Sequence, residues 1–337
     1  MSILLFAVVV LLAAVFSFLN GFRDVSTAVA LAVRTRALTP SIAVLMAAFF
    51  NCLGALLSSW LAIAVSRTWI SLPPGDNGLS ILAAGLASGS IWGVLTWWRG
   101  IPSSSTHALV GGLAGAALAS VLVGNNAVAG VDRSLLFQVV LPLLISPLVA
   151  FVGAYLLVFP VTWMARYAQP NVINKNFRRS QSVAAGAVAF GHGLQDGQRI
   201  SAVLLIALIA AGYYDGGMPL WVIILTAGTL TLGTLFGGWR ISHTIGHRLT
   251  RVDPLRGSVA QIFSAVLLFI GAIGLYWPVS TTHTVTAAVI GAGENQDFAT
   301  TNRRLVIRIL GYWVATPLAT ATVAFILQLA LSPLLKS

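Results

Sequence analysis

Pro278-Val279-Ser280-Thr281-Thr282-His283 has a near copy at Pro102-Ser103-Ser104-Ser105-Thr106-His107. A second matched pair, Gly21-Phe22-Arg23-Asp24 and Gly193-Leu194-Gln195-Asp196, precedes these segments in the same order. Asp24 and Asp196 are 172 residues apart, and His107 and His283 are 176 apart. Either motif alone is weak. Two motifs that keep order and near-equal spacing establish an internal duplication. Each proline-led copy opens a short stretch, about 103–124 and 279–293, rich in Gly, Ala, Ser and Thr.

The surrounding sequence says where such a duplication sits. The chain has 337 residues, of which 58% are hydrophobic and only 8% charged, and its net charge is +11. Soluble domains carry roughly 25% charged residues. This composition excludes a soluble enzyme, a disordered chain and a secreted disulfide scaffold, and a mean hydropathy of +0.91 points the same way. Apolar runs long enough to span a bilayer occur at about 2–19, 42–66, 79–98, 134–163, 182–211, 219–239, 258–277 and 305–333. The expected fold is an all-α polytopic membrane protein. The first run has no basic residue ahead of it, so it reads as a retained helix rather than a cleaved signal. Cys52 is the single cysteine, so no intramolecular disulfide can form.

Hydrophilic interruptions are expected at Asn20–Asp24 and His192–Arg199, and the two small-residue stretches are expected as half-helices or re-entrant hairpins. Duplicated halves with interruptions at matching places are the pattern of secondary transporters, whose sites lie near the bilayer midplane. The halves are 1–163 and 182–337, joined by a basic linker at 164–181. Arg166, Lys175, Arg178 and Arg179 in that linker, and Arg240, Arg248, Arg251 and Arg256 later on, should be cytoplasmic by the positive-inside rule. Topology explains this charge, so nucleic acid is not an expected partner. Runs such as Gly111-Gly112-Leu113-Ala114-Gly115 read as close helix packing.

Eight acids exist. Asp76, Asp132, Asp215, Asp253, Glu294 and Asp297 sit in loop-like contexts. Asp24 and Asp196 sit inside membrane segments, where an ionisable group is costly and marks function by default. Arg23 and Arg199 are their sequence neighbours and can serve as ion-pair partners or balance the charge of an anion. A helix opened by proline leaves first-turn N–H groups free, and with Ser and Thr oxygens such starts bind anions. Two of them facing each other can surround a tetrahedral oxyanion. The competing reading is that these hydroxyls bond back to their own helices. His107 and His283 end the segments and are candidates for proton sensing. An inside-negative potential opposes anion entry by about 2.3 kcal/mol per charge per 100 mV. The carboxylate pair therefore reads as the place where a co-transported cation, H⁺ or Na⁺, offsets that cost.

At these residues the chain resembles the inorganic phosphate transporter (PiT) family. The family signature, close to Gly-Ala-Asn-Asp-x-x-Asn-Ala, is seen around Gly21–Ala28 and Gly193–Ile200, and the Pro-Val-Ser-Thr-Thr-His motif is complete at 278–283. Thr35-Arg36-Ala37-Leu38-Thr39-Pro40, Gly237-Gly238-Trp239-Arg240 and Asp253-Pro254 extend the likeness. The resemblance implies two inverted-topology repeats with ten to twelve helical segments, including two hairpins, in a multi-pass protein of the cell membrane. It implies phosphate import with Na⁺ or H⁺, with Asp24, Asp196, Ser103, Ser104, Ser105, Thr106, Ser280, Thr281 and Thr282 contacting the substrate or its cation. The departures are specific. Arg23 and Gln195 replace the Asn before each Asp, Thr27 replaces the later Asn, and Asn51 and Gln261 stand where many relatives show Glu. Amides in place of carboxylates, and a cation beside Asp24, favour H⁺ over Na⁺. Sulfate, another tetrahedral oxyanion, is the alternative substrate, and a passive anion channel is the alternative mechanism. No His-Glu-x-x-His spacing or nucleophile–base pair is evident, so the chain is read as no enzyme and without a resident cofactor or metal. A homo-oligomer is left open.

Overall fold

In the computed structural model the described residues are 2–58, 60–63, 66, 72–124, 136–296 and 301–335. Asp132 and Asp297 lie outside them. Eleven helical segments follow in order: α1 (Ser2–Arg34), α2 (Pro40–Leu57), α3 (Asp76–Trp98), α4 (Ser105–Leu122), α5 (Leu141–Ala165, preceded by π turns from Leu136), α6 (Pro170–Ala211), α7 (Leu220–Phe236), α8 (Trp239–His243, continuing as π turns to Leu249), α9 (Pro254–Phe269, continuing as π turns to Gly274), α10 (Thr281–Glu294) and α11 (Arg303–Leu335). Among the described residues eight helices are long and apolar enough to cross a membrane, and α7 with α8, bent by 58°, makes nine if the pair is one span. Large apolar side chains such as Leu45, Phe49, Leu144, Leu148, Leu318 and Ile326 face outward, as a lipid-contacting surface requires.

The packing obeys the duplication. The first helix of each half packs on the second helix of the other half: α1 on α7, and α6 on α2. The second arm of each hairpin packs on the last helix of the other half: α4 on α11, and α10 on α5. Glycine makes the first crossing possible. A Cβ at Gly21 would collide with the backbone of Leu230, and one at Gly193 with the backbone of Asn51.

The halves are inverted. At one end of α1, Thr35 donates to Gln181 of α6 at 2.5 Å. Midway along it, Ser17 and Ser201 both reach Thr226 of α7. Numbers rise along α1 as they fall along α6, so the repeat-equivalent helices run antiparallel.

Two local expectations change. Helices α1 and α6 run unbroken through Asn20–Asp24 and His192–Arg199. The i→i−4 ladder continues through both segments; Arg23, Asp24 and His192 find partners on other elements, whereas Asp196 pairs with Arg199 on α6 itself. The basic stretch at 164–181 is mostly helix, because α5 extends to Ala165 and Pro170 is well placed to open α6. At about 1.5 Å per residue the 42-residue α6 exceeds the ~30 Å hydrocarbon thickness, so its exposed basic turns project beyond it. Breaks do occur at the two proline motifs, where α4 and α10 begin at Ser105 and Thr281.

Candidate functional site

The two proline-led tips meet on the pseudo-two-fold axis. Ser104 and Ser280 are helix N-caps: each hydroxyl accepts the N–H of the histidine three residues on, at 3.2 and 3.3 Å. The imidazoles of His107 and His283 lie 4.6 Å apart, and His283 stacks on Trp313 at 3.9 Å. Both rings line an apolar cavity of about 680 Å³ between α5 and α11.

An ionic cluster forms from the middles of α1 and α6. Asp24, Asp196, Arg23, Arg199 and His192 are each at most 3% exposed. Asp24 accepts a hydrogen bond from Thr282 of the opposite half's hairpin at 3.0 Å. Asp196 is ion-paired with Arg199, one turn further along α6. His192 lies between the carboxylates, its Nε2 3.2 Å from Asp196 and 3.8 Å from Asp24. Its Nδ1 faces Asn51 at 3.1 Å, and Asn51 in turn donates to Thr234 at 2.7 Å. Asp24, His192 and Asp196 present ligand atoms within 4.8 Å of one another, a spacing that can hold a cation.

Position 23 and its equivalent 195 do the same task in opposite senses. Arg23 donates to the carbonyl of Ser103 at 2.7 Å, whereas Gln195 accepts the N–H of Val279 at 3.3 Å. Each residue therefore grips the backbone of its own half's tip, while Asp24 reaches the tip of the other half. Other anticipated residues have local tasks. Thr27 bonds the carbonyl of Asp24, and Gln261 bonds that of Ala28, bracing α1. Ser103 pairs with Thr316 at 2.8 Å. Ser105, Thr106 and Thr281 are buried, and the hydroxyl of Thr281 has no hydrogen-bond partner among the described residues. His192 is the member that motif reading missed, although its position four residues before Asp196 places both on one helix face.

The fold and this cluster define a class: a polytopic membrane transporter built from two inverted repeats around a buried charged site. The phosphate transporter family model matches residues 20–175 and 164–324, and the chain belongs to that family. It is 38% identical over 311 residues to a protein of Rhizobium meliloti (strain 1021) named "Probable low-affinity inorganic phosphate transporter", covering 92% of this chain and 91% of that one. A Bacillus subtilis (strain 168) protein of the same name is 32% identical over 326 residues, 96% of each chain. The fold is also that of a solved structure titled "The sodium-dependent phosphate transporter", with a TM-score of 0.85 at 21% identity over 97% of this chain and 99% of that one. The relatives are transporters, not enzymes.

Proposed function

We propose that this protein imports inorganic phosphate across the cell membrane by symport with protons, the halves 1–163 and 182–337 moving against each other to expose the axial site to each side in turn. The observation that carries the reading is the contact of Asp24 with Thr282, beside the Asp196–His192 pair, where the tips of both halves converge. Two arginines and two aspartates cancel in formal charge, so a bound anion needs one further positive charge. A proton meets that need. Asn51 and Gln261 offer neutral amides rather than carboxylates, which weakens a cation site and speaks for H⁺ over Na⁺. A carboxylate facing the substrate suits protonated phosphate, whose O–H can donate, and repels sulfate.

Labelled-phosphate uptake into proteoliposomes tests this. A pH gradient should drive accumulation without Na⁺, sulfate should compete poorly, and Asp24→Asn and Asp196→Asn should each stop uptake while the protein still inserts. Normal uptake by both variants, or flux that never exceeds equilibration under a pH gradient, overturns the reading; the latter result describes a passive channel.

A further inference from the structure

Away from the axis, the end of α3 and the segment Arg240–Arg248 form an open surface cavity of about 290 Å³ lined by Trp98, Arg99, Arg240, His243, Thr244 and Arg248. Among the described residues that line it, none is acidic. Two of the cations are held in place. Arg99 donates to the Tyr312 hydroxyl at 2.9 Å, and Arg240 donates to the carbonyl of Trp98 at 3.0 Å while lying over the Trp97 ring. Thr244 donates to the carbonyl of Gly100 at 2.6 Å, two residues before Pro102. The cavity thus abuts the chain that leads into the first half's tip.

The internal symmetry supplies a control. Gly100 and Tyr276 are equivalent positions and share a left-handed backbone, with φ of 66° and 53°. Trp239 corresponds to Trp60, which packs against Tyr276 at 6.3 Å. The same corner therefore exists twice, but Leu275 stands in place of Arg99 and Leu61 in place of Arg240. Architecture does not demand the arginines. An orientation signal asks only for positive charge near the membrane surface, not for cations gathered around one concavity.

We propose that Arg99, Arg240, His243 and Arg248 form a second site that binds a phosphoryl oxyanion, either free phosphate or the head group of an acidic lipid. Guanidinium forks match the oxygens of such groups bidentately, and basic pockets between membrane helices recognise lipid phosphates.

The test uses the full chain in detergent micelles free of acidic lipid, with equilibrium dialysis against ³²P-labelled inorganic phosphate. If free phosphate is the ligand, bound phosphate at saturation halves in the Arg240→Gln/Arg248→Gln double variant, and Arg240→Lys/Arg248→Lys regains part of it. If the ligand is a head group, dialysis is unaffected, but native mass spectrometry from phosphatidylglycerol nanodiscs shows a lipid retained by the natural chain and lost by the glutamine variant. These side chains are exposed, and phosphate bound at the axial site reports that the variant is folded. If the glutamine pair changes neither phosphate binding nor lipid retention, the proposal is overturned.

Discussion

Asp196 and Arg199 are buried one turn apart on α6, so removing either leaves an uncompensated charge in the bilayer interior. Breaking such a pair typically costs about 3–5 kcal/mol, whereas removing both partners together is far cheaper. Arg199→Gln should lower the thermal midpoint and abolish uptake; Asp196→Asn combined with Arg199→Gln should recover the midpoint but not the uptake. Recovery of both would assign the pair to folding alone. At position 23 the expectation concerns coupling. Arg23→Asn supplies the residue of the family signature and removes a cation beside Asp24, so a Na⁺ gradient imposed at equal pH should begin to drive uptake of labelled phosphate. Continued indifference to Na⁺ would locate the choice of ion at Asn51 and Gln261. Asp24, Asp196 and the two tips were legible in the sequence because they recur at matched spacing. His192 was not, since nothing in the first repeat matches it. The grip of Arg23 and Gln195 on opposite backbone groups of the tips depends on an approach in space that no spacing encodes.

Between elements, the decisive contacts are made where side chains are missing. α1 crosses α7 at Gly21, and α6 crosses α2 at Gly193, each with backbone against backbone. These crossings hold the two aspartate-bearing segments beside the axis. Gly21→Val and Gly193→Val should each destabilise the protein, at about 1–3 kcal/mol or more for overpacking of this kind. Gly228 lies on α7, and a methyl group added there would meet nothing within 4 Å, so Gly228→Ala should be neutral or stabilising by about 0.5–1 kcal/mol. Thermal unfolding followed by circular dichroism compares the three; equal midpoints would remove the crossings from the account. The Gly-rich runs announced close packing but not which helices meet. Polarity at Asn20–Asp24 and His192–Arg199 suggested interruptions because composition registers charge, whereas a helix ends where its backbone hydrogen bonds are given up; even proline does not always do this, since α5 runs through Pro147 and Pro160 and α11 through Pro317. At Pro102 and Pro278 the expected breaks are found.

At the scale of the molecule, most of the positive charge among the described residues gathers at one end. Of nineteen Lys and Arg residues, Arg23 and Arg199 are in the middle, and Arg67, Arg133 and Lys336 lie outside the described residues. The other fourteen belong to segments that meet at a single end. Thr35 binds Gln181 there, Thr244 binds Gly100, and Asn302 donates its N–H to the carbonyl of Leu249. Asp76 and Asp215 mark the opposite end, where Gly75 donates to the carbonyl of Ala210. The positive-inside rule then predicts an orientation from the inversion of the halves: the basic turns of α6 are expected on the cytoplasmic side. A single substitution, Cys52→Ser, gives a cysteine-free background in which to test it. In intact cells a membrane-impermeant maleimide should label Asp215→Cys, and should label Lys175→Cys only after permeabilisation. These residues lie near opposite ends of α6, so one probe reads both sides of the same helix. The reverse pattern would place the basic turns of α6 and the arginine-lined cavity outside and overturn this orientation.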